Sequence, residues 1–274
     1  MTAGTLPALP ALPPAPLATA TEVLAVTGRR LRHLVRGPGR LVGLVMNPLV
    51  MMIGIGYLFR GALVLPGSQD YVGYLMAGAC AQLGLAGIGP TAVAVAMDLR
   101  GGLVDRFRSL PISRAAVLLG HTLADLVASL AGLVLILAVG FGLGWRVHTG
   151  FWSFLAGFGL LAVFCYVLLW VGVLVGMIVR SPESIDSIGS LIVVLFGFLS
   201  SAFLAVGALP GWLAPIAAWN PVSAIADLVR GLWGNPVPPG AGFASAHPGQ
   251  VLVIALGVIF CCTASISLRR YARR

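Results

Sequence analysis

Lysine is absent from this 274-residue chain; all 17 basic residues are arginine. A phosphate-binding loop of the G-x-x-x-x-G-K-[ST] kind uses a lysine to reach the β- and γ-phosphates, so such a loop is excluded. Charge of either sign is scarce, at 9% of residues, where a soluble domain carries about 25%. Neither H-E-x-x-H nor C-x-x-C occurs, which removes the common zinc-protease and thiol-redox signatures. The four cysteines, Cys80, Cys165, Cys261 and Cys262, all fall inside apolar runs and read as small buried thiols rather than disulfide partners. The formal net charge is +9, yet no basic stripe with interleaved aromatics appears. The arginines gather at the ends of apolar runs, a membrane-orientation pattern, and no nucleic-acid partner is expected.

What is present in quantity is apolar surface, 59% of the chain. A spanning helix needs about 20 apolar residues at ~1.5 Å each to cross the hydrocarbon core. Six segments qualify, at about 41–60, 71–97, 116–140, 151–179, 188–206 and 250–268. Residues 1–20 hold five prolines and no charge and read as a disordered cytoplasmic tail. In 21–40, Val23, Val26, Leu31, Leu34 and Val35 recur at helical spacing beside Arg29, Arg30, Arg32 and Arg36. This predicts an amphipathic helix on an anionic membrane surface. With six spans and the N-terminus inside, 14 arginines fall in the cytoplasm and only Arg60, Arg146 and Arg230 outside, as the positive-inside rule requires. Trp145, Trp152, Trp212, Trp219 and Trp233 then form an outer interfacial belt. Arginine without lysine, with abundant Ala, Gly and Pro, suggests a GC-rich bacterium and hence a multi-pass bacterial cell-membrane protein with both termini cytoplasmic.

One charged island interrupts the apolar pattern: "DLRGGLVDRFRSLPISR", residues 98–114. Leu99, Leu103, Phe107 and Leu110 share one helical face, while Arg100, Asp105, Arg106 and Arg108 project elsewhere. Pro111 ends the helix and Ser113 can cap the next one. A topology anchor needs only arginine, but Asp98 and Asp105 are mixed in. Mixed charge with one aromatic suits docking into a groove of another protein, and the plain anchor stands as the competing reading.

"GLVDRFRSLPISR" resembles the cytoplasmic loop of ABC-2 type exporter permeases, closest to the daunorubicin/doxorubicin-resistance type. "LLGHTLADL" at 118–126, "VRSPES" at 179–184 and "LPGWLAPIAAWNPVSAIADLVRGLWG" at 209–234 extend the similarity in order. The resemblance implies an all-α integral membrane fold: six transmembrane helices over 41–274, the N-terminal interfacial helix, a cytoplasmic coupling helix, and short outer-side helices before the last span. It also implies two permease subunits (homodimer or heterodimer) and two ATP-binding-cassette ATPase subunits that hold the ATP and Mg, so this chain would need no cofactor or metal and would catalyse nothing itself. ATPase docking would fall on Asp98, Arg100, Leu103, Asp105, Arg106, Phe107, Arg108, Leu110, Pro111 and Arg114. Gly101-Gly102 departs from the charged residue that relatives often carry before the glycine.

Several other residues carry two readings each. His121 and Asp125, four apart near the start of the third span, suit either a substrate pathway or interhelical pairing. Glu183 and Asp186 suit a second ATPase contact or a solvated turn. Asp227 and Arg230, three apart, are expected to form a structural bridge. Asn220 and Pro221 are expected to end one short helix and start another, with asparagine as the cap. Gly172 and Gly176 make a small-xxx-small pattern that suits a dimer seam. The expected function is export of a hydrophobic or amphiphilic drug, antibiotic or lipid-like molecule, driven by a separate ATPase. A polysaccharide or lipid-linked glycan exporter of the same architecture, a proton-coupled carrier and a membrane-embedded lipid enzyme are the alternatives.

Overall fold

The computed structural model describes residues 21, 23–25, 27–32, 39–58, 71–100, 114–179, 181–203, 206, 209–237 and 242–273. Every regular element among them is helical, and no strand occurs among them. An N-terminal helix covers the described residues of 21–32. It is followed by α1 (Gly39–Leu58), α2 (Tyr71–Ala86), α3 (Ile88–Arg100), α4 (Arg114–Gly142), α5 (Phe151–Ile178) and α6 (Pro182–Phe198). Three short helices, α7 (Ala214–Trp219), α8 (Pro221–Trp233) and α9 (Phe243–Ala246), precede α10 (Pro248–Arg273).

Among the described residues, four helical stretches are long and apolar enough to cross a membrane: Tyr71–Arg100, Leu118–Gly142, Phe151–Ile178 and Pro248–Arg270. The first joins α2 to α3 through a turn at Gly87. Pro90 explains the break, because it has no N–H for the carbonyl of Ala86. The segment expected at 41–60 is helical over Gly39–Leu58, of which Val42–Gly54 forms a shorter apolar stretch. The segment expected at 188–206 is displaced toward the N-terminus: α6 begins at Pro182 and stops at Phe198, and 201–203 form a turn. Ser181 sets that early start, since its side chain accepts the N–H of Ser184 while Pro182 sits in the first turn. A serine cap followed by proline in the first turn favours helix initiation.

Helix α5 is the hub and packs on α2, α3, α4, α8 and α10. It is apolar on every side although only part of it is covered, with Leu155, Val163 and Ile178 exposed, as suits a helix between its neighbours and hydrocarbon. Gly172 and Gly176 do not form a seam with another subunit. They lie against α3 of the same chain, where a Cβ at 172 would come 2.7 Å from the Ile88 carbonyl and one at 176 would clash with that of Ala92. The belt of five tryptophans also divides. Trp152, Trp212 and Trp219 are exposed, but Trp145 and Trp233 are buried and meet edge to face at 5.1 Å. Cys80 and Cys165 are buried and Cys261 and Cys262 exposed, and all four are free thiols. Exposed apolar faces remain on α1 (Val42, Met46, Val50), α6 (Leu191, Val194, Leu195) and α10 (Val253, Ile254, Val258). Contiguous faces of this kind suit hydrocarbon or a partner rather than water.

Candidate functional site at the root of the charged loop

Residues 101–113, with Leu103, Asp105, Arg106, Phe107, Arg108, Leu110 and Pro111, lie outside the described residues, as does the Arg114 side chain. The two ends of that loop are described. Helix α3 delivers Asp98 and exposed Arg100 to its start, and α4 leaves from its end. Across the gap His121 Nε2 lies 2.9 Å from Asp98 Oδ2, so one imidazole–carboxylate contact joins the helices on either side of the loop.

One turn further along α4, Asp125 is almost completely buried, about 16 Å of helix from Arg114. A carboxylate at that depth requires a partner. Arg30 of the N-terminal helix supplies it, with Nε donating to Oδ1 at 3.1 Å and Nη2 to Oδ2 at 3.0 Å. The Thr91 hydroxyl of α3 donates to Oδ2 at 2.7 Å. The same guanidinium places Nη1 3.8 Å from Asp98 Oδ2. Three helices therefore meet on two carboxylates, one guanidinium, one imidazole and one hydroxyl. A second contact supports the N-terminal helix, from the Thr27 hydroxyl to the Gly120 carbonyl at 3.3 Å.

His121 and Asp125 both make contacts between helices, to Asp98 and to Arg30 and Thr91. Arg30 and Thr91 were not among the expected site residues. The signal was nonetheless present: Val23, Thr27 and Arg30 are spaced four and three, so they share a face, and a deep aspartate demands a cation from somewhere.

Glu183 and Asp186 are exposed in the first turns of α6. The backbone N–H of Glu183 itself, then the Ser181 hydroxyl and the charge of Arg100, hold the Glu183 carboxyl below the usual range.

At the opposite end of the bundle, Arg230 on α8 is fully buried. Its Nη1 contacts Asp227 Oδ1 at 2.6 Å, its Nε donates to the Tyr74 carbonyl at 2.9 Å, and its Nη2 donates to the carbonyls of Ser201 at 2.8 Å and Ala202 at 3.0 Å. The guanidinium also stacks 3.7 Å above the Tyr74 ring. Asn220 joins two elements. Its Nδ2 donates to the carbonyls of Phe196 and Leu199 at the end of α6, and its Oδ1 accepts the Val222 N–H at the start of α8, with Pro221 in the first turn. Contacts of these residues connect α2, α6 and α8. Among the described residues, no group of histidine, cysteine, aspartate and glutamate could hold a metal ion.

The ABC-2 type transporter family matches residues 21–233. The chain is 28% identical over 264 residues to "Daunorubicin resistance ABC transporter permease protein DrrB1" of Streptomyces coeruleorubidus, covering 94% of this chain and 89% of that one. It is 27% identical over 227 residues to "Probable doxorubicin resistance ABC transporter permease protein DrrC" of Mycobacterium tuberculosis, covering 79% and 78%.

Proposed function

The chain belongs to the ABC-2 type transporter family, and on that premise we propose that it is the permease subunit of an exporter driven by a separate ATPase docked on residues 98–114. Six helices, α1, α2–α3, α4, α5, α6 and α10, cross the membrane in this reading, with both termini and the charged loop in the cytoplasm. A second permease subunit completes the pathway. The observation that supports a driven loop is the contact of His121 with Asp98 and of Arg30 with Asp125. A docking element passes force to the spans only if its roots are fixed to one another, and here both roots are fixed. ATP closure of the partner would move the loop as a rigid body, and the spans it joins would change the side they open to. The nucleotide and its Mg belong to the ATPase; this chain, without lysine, supplies the path. Exposed and buried apolar surface suits a hydrophobic or amphiphilic cargo, in keeping with the drug named for the relatives.

The proton-coupled alternative loses its best candidate, because Asp125 is held by a guanidinium and a hydroxyl. The test is ATP-dependent uptake of doxorubicin into inverted vesicles carrying this chain and the ATPase. Uptake should vanish when the phosphate-binding lysine of the ATPase is replaced, and Phe107→Ala should release the ATPase in a detergent pull-down. Uptake that survives a dead ATPase and collapses with the proton gradient refutes the proposal.

A further inference from the structure

We infer that Arg30 is a positioning residue for the docking loop: it pins the N-terminal helix to both loop roots, so helix and loop move as one body. The inference rests on the exporter reading above and adds to it an element that lies outside the loop.

Arg30 is set apart from its neighbours by direction. Arg29 and Arg32 are exposed, as are Leu24 and Ala25, whereas Val23, Thr27 and Arg30 are partly covered. One arginine of the basic run therefore points into the bundle while two point away. The inward one is the sole guanidinium among the described residues with ion-pair contacts to both Asp98 and Asp125. Those carboxylates stand on different helices, one before the loop and one after it. Arg30 is thus a three-way joint rather than a simple pair. The Asp125 end is closed, with its side chain 5% exposed and that of Arg30 13%.

If the N-terminal helix stayed on the lipid surface while the loop swung, this joint would have to open in every cycle. Opening would leave a buried carboxylate without its cation, which is strongly unfavourable. Bidentate geometry also resists sliding, because both N–H bonds are lost together. The low-energy course is that the N-terminal helix, α3 and α4 travel as a unit, with Arg29 and Arg32 tracking the membrane surface.

The test uses spin labels at Leu24 and Val127, which are 70% and 45% exposed and lie outside the joint. In the permease–ATPase complex the label pair should give one narrow distance distribution, unchanged between nucleotide-free and ATP-trapped states. Arg30→Ala should keep the ATPase in a pull-down, yet broaden that distribution and lower doxorubicin exported per ATP hydrolysed by about tenfold. A merely structural arginine would lower the amount of complex and leave that ratio alone. A disulfide between Thr27→Cys and Gly120→Cys, built with Cys261→Ser and Cys262→Ser, should restore both readouts. The inference is overturned if the native distance shifts by more than about 5 Å, one helical turn, on trapping ATP. It is also overturned if Arg30→Ala leaves distribution and ratio untouched. Should Arg30→Ala fail to insert, the native label pair still decides. A native chain that retains no ATPase counts against the exporter reading instead, and the joint is then read from the labels in the isolated permease.

Discussion

Replacing Arg230 with methionine should be among the most destabilising single changes in this chain. The guanidinium is fully buried and makes four donor contacts of 3.0 Å or less, to Asp227 and to the carbonyls of Tyr74, Ser201 and Ala202. Methionine fills much of the volume but leaves the Asp227 carboxylate, 20% exposed, without its cation. Removing one partner of a buried ion pair costs about 3–5 kcal/mol. For a domain of this size 1 kcal/mol moves Tm by about 2–4 °C, so a loss of roughly 6 °C or more follows. Arg230→Lys keeps the charge but offers a point ammonium with three donors in place of a planar fork, so it should fall between. Arg230→Met with Asp227→Leu removes both charges and should recover at least about 1 kcal/mol relative to Arg230→Met alone. Tryptophan fluorescence on heating in detergent reports the transition, since Trp233 lies on the same helix. A single variant melting within about 2 °C of the native protein, or a double variant less stable than the single, refutes the reasoning.

Three smaller perturbations test other parts of the fold. Gln82 is buried in α2 with an Oε1 that has no hydrogen-bond partner among the described residues, so Gln82→Leu should raise stability by about 1 kcal/mol, seen as a higher Tm. Gly176→Ala must push α3 away from α5, since its Cβ would meet the Ala92 carbonyl, and should cost about 1–3 kcal/mol. Gly159→Ala on the same helix meets nothing within 4 Å and should leave Tm unchanged or slightly higher. The Glu183 carboxyl is held low by its own N–H and Ser181, so its contribution is present above the unfolded pKa and lost as pH falls through the folded one. Tm of Glu183→Gln should therefore trail the native protein at pH 7, and the gap should close below about pH 4.

The class of this protein was legible because hydropathy and arginine placement depend on depth, and depth is a one-dimensional property that a sequence carries directly. Rotation about a helix axis is harder to read. Trp145 and Trp233 are expected in an interfacial belt, yet both are buried and meet edge to face. Gly172 and Gly176 signal close helix packing correctly, but a small-xxx-small pattern does not say which helix approaches. The partner is α3, not a second subunit. The end of α6 at Phe198 has only a weak local signal, the pair Ser200 and Ser201. What stops the helix is Asn220, more than 20 residues on, capturing the carbonyls of Phe196 and Leu199. Short-range pairs such as Asp227 with Arg230 could be read from spacing; long-range ones such as Arg30 with Asp125 required the fold.

The two inward-pointing arginines divide the labour of the bundle between its ends. Arg230 is enclosed by α2, α8 and the turn after α6, with most of its partners backbone carbonyls. Carbonyls cannot titrate or swing, so that end is fixed by geometry that only unfolding can release. Among the described residues Arg30 is bound to side chains, Asp98 and Asp125, the first of which is 36% exposed. Side-chain partners can follow one another by rotamer changes, and water reaches one of the two carboxylates. On the proposed docking of an ATPase at the loop, this asymmetry would give an anchored end against which the spans pivot and a jointed end that transmits movement without coming apart. An Arg230 variant should therefore lose folded protein before it loses coupling. An Arg30 variant should lose coupling while the bundle, still held at the other end, stays folded.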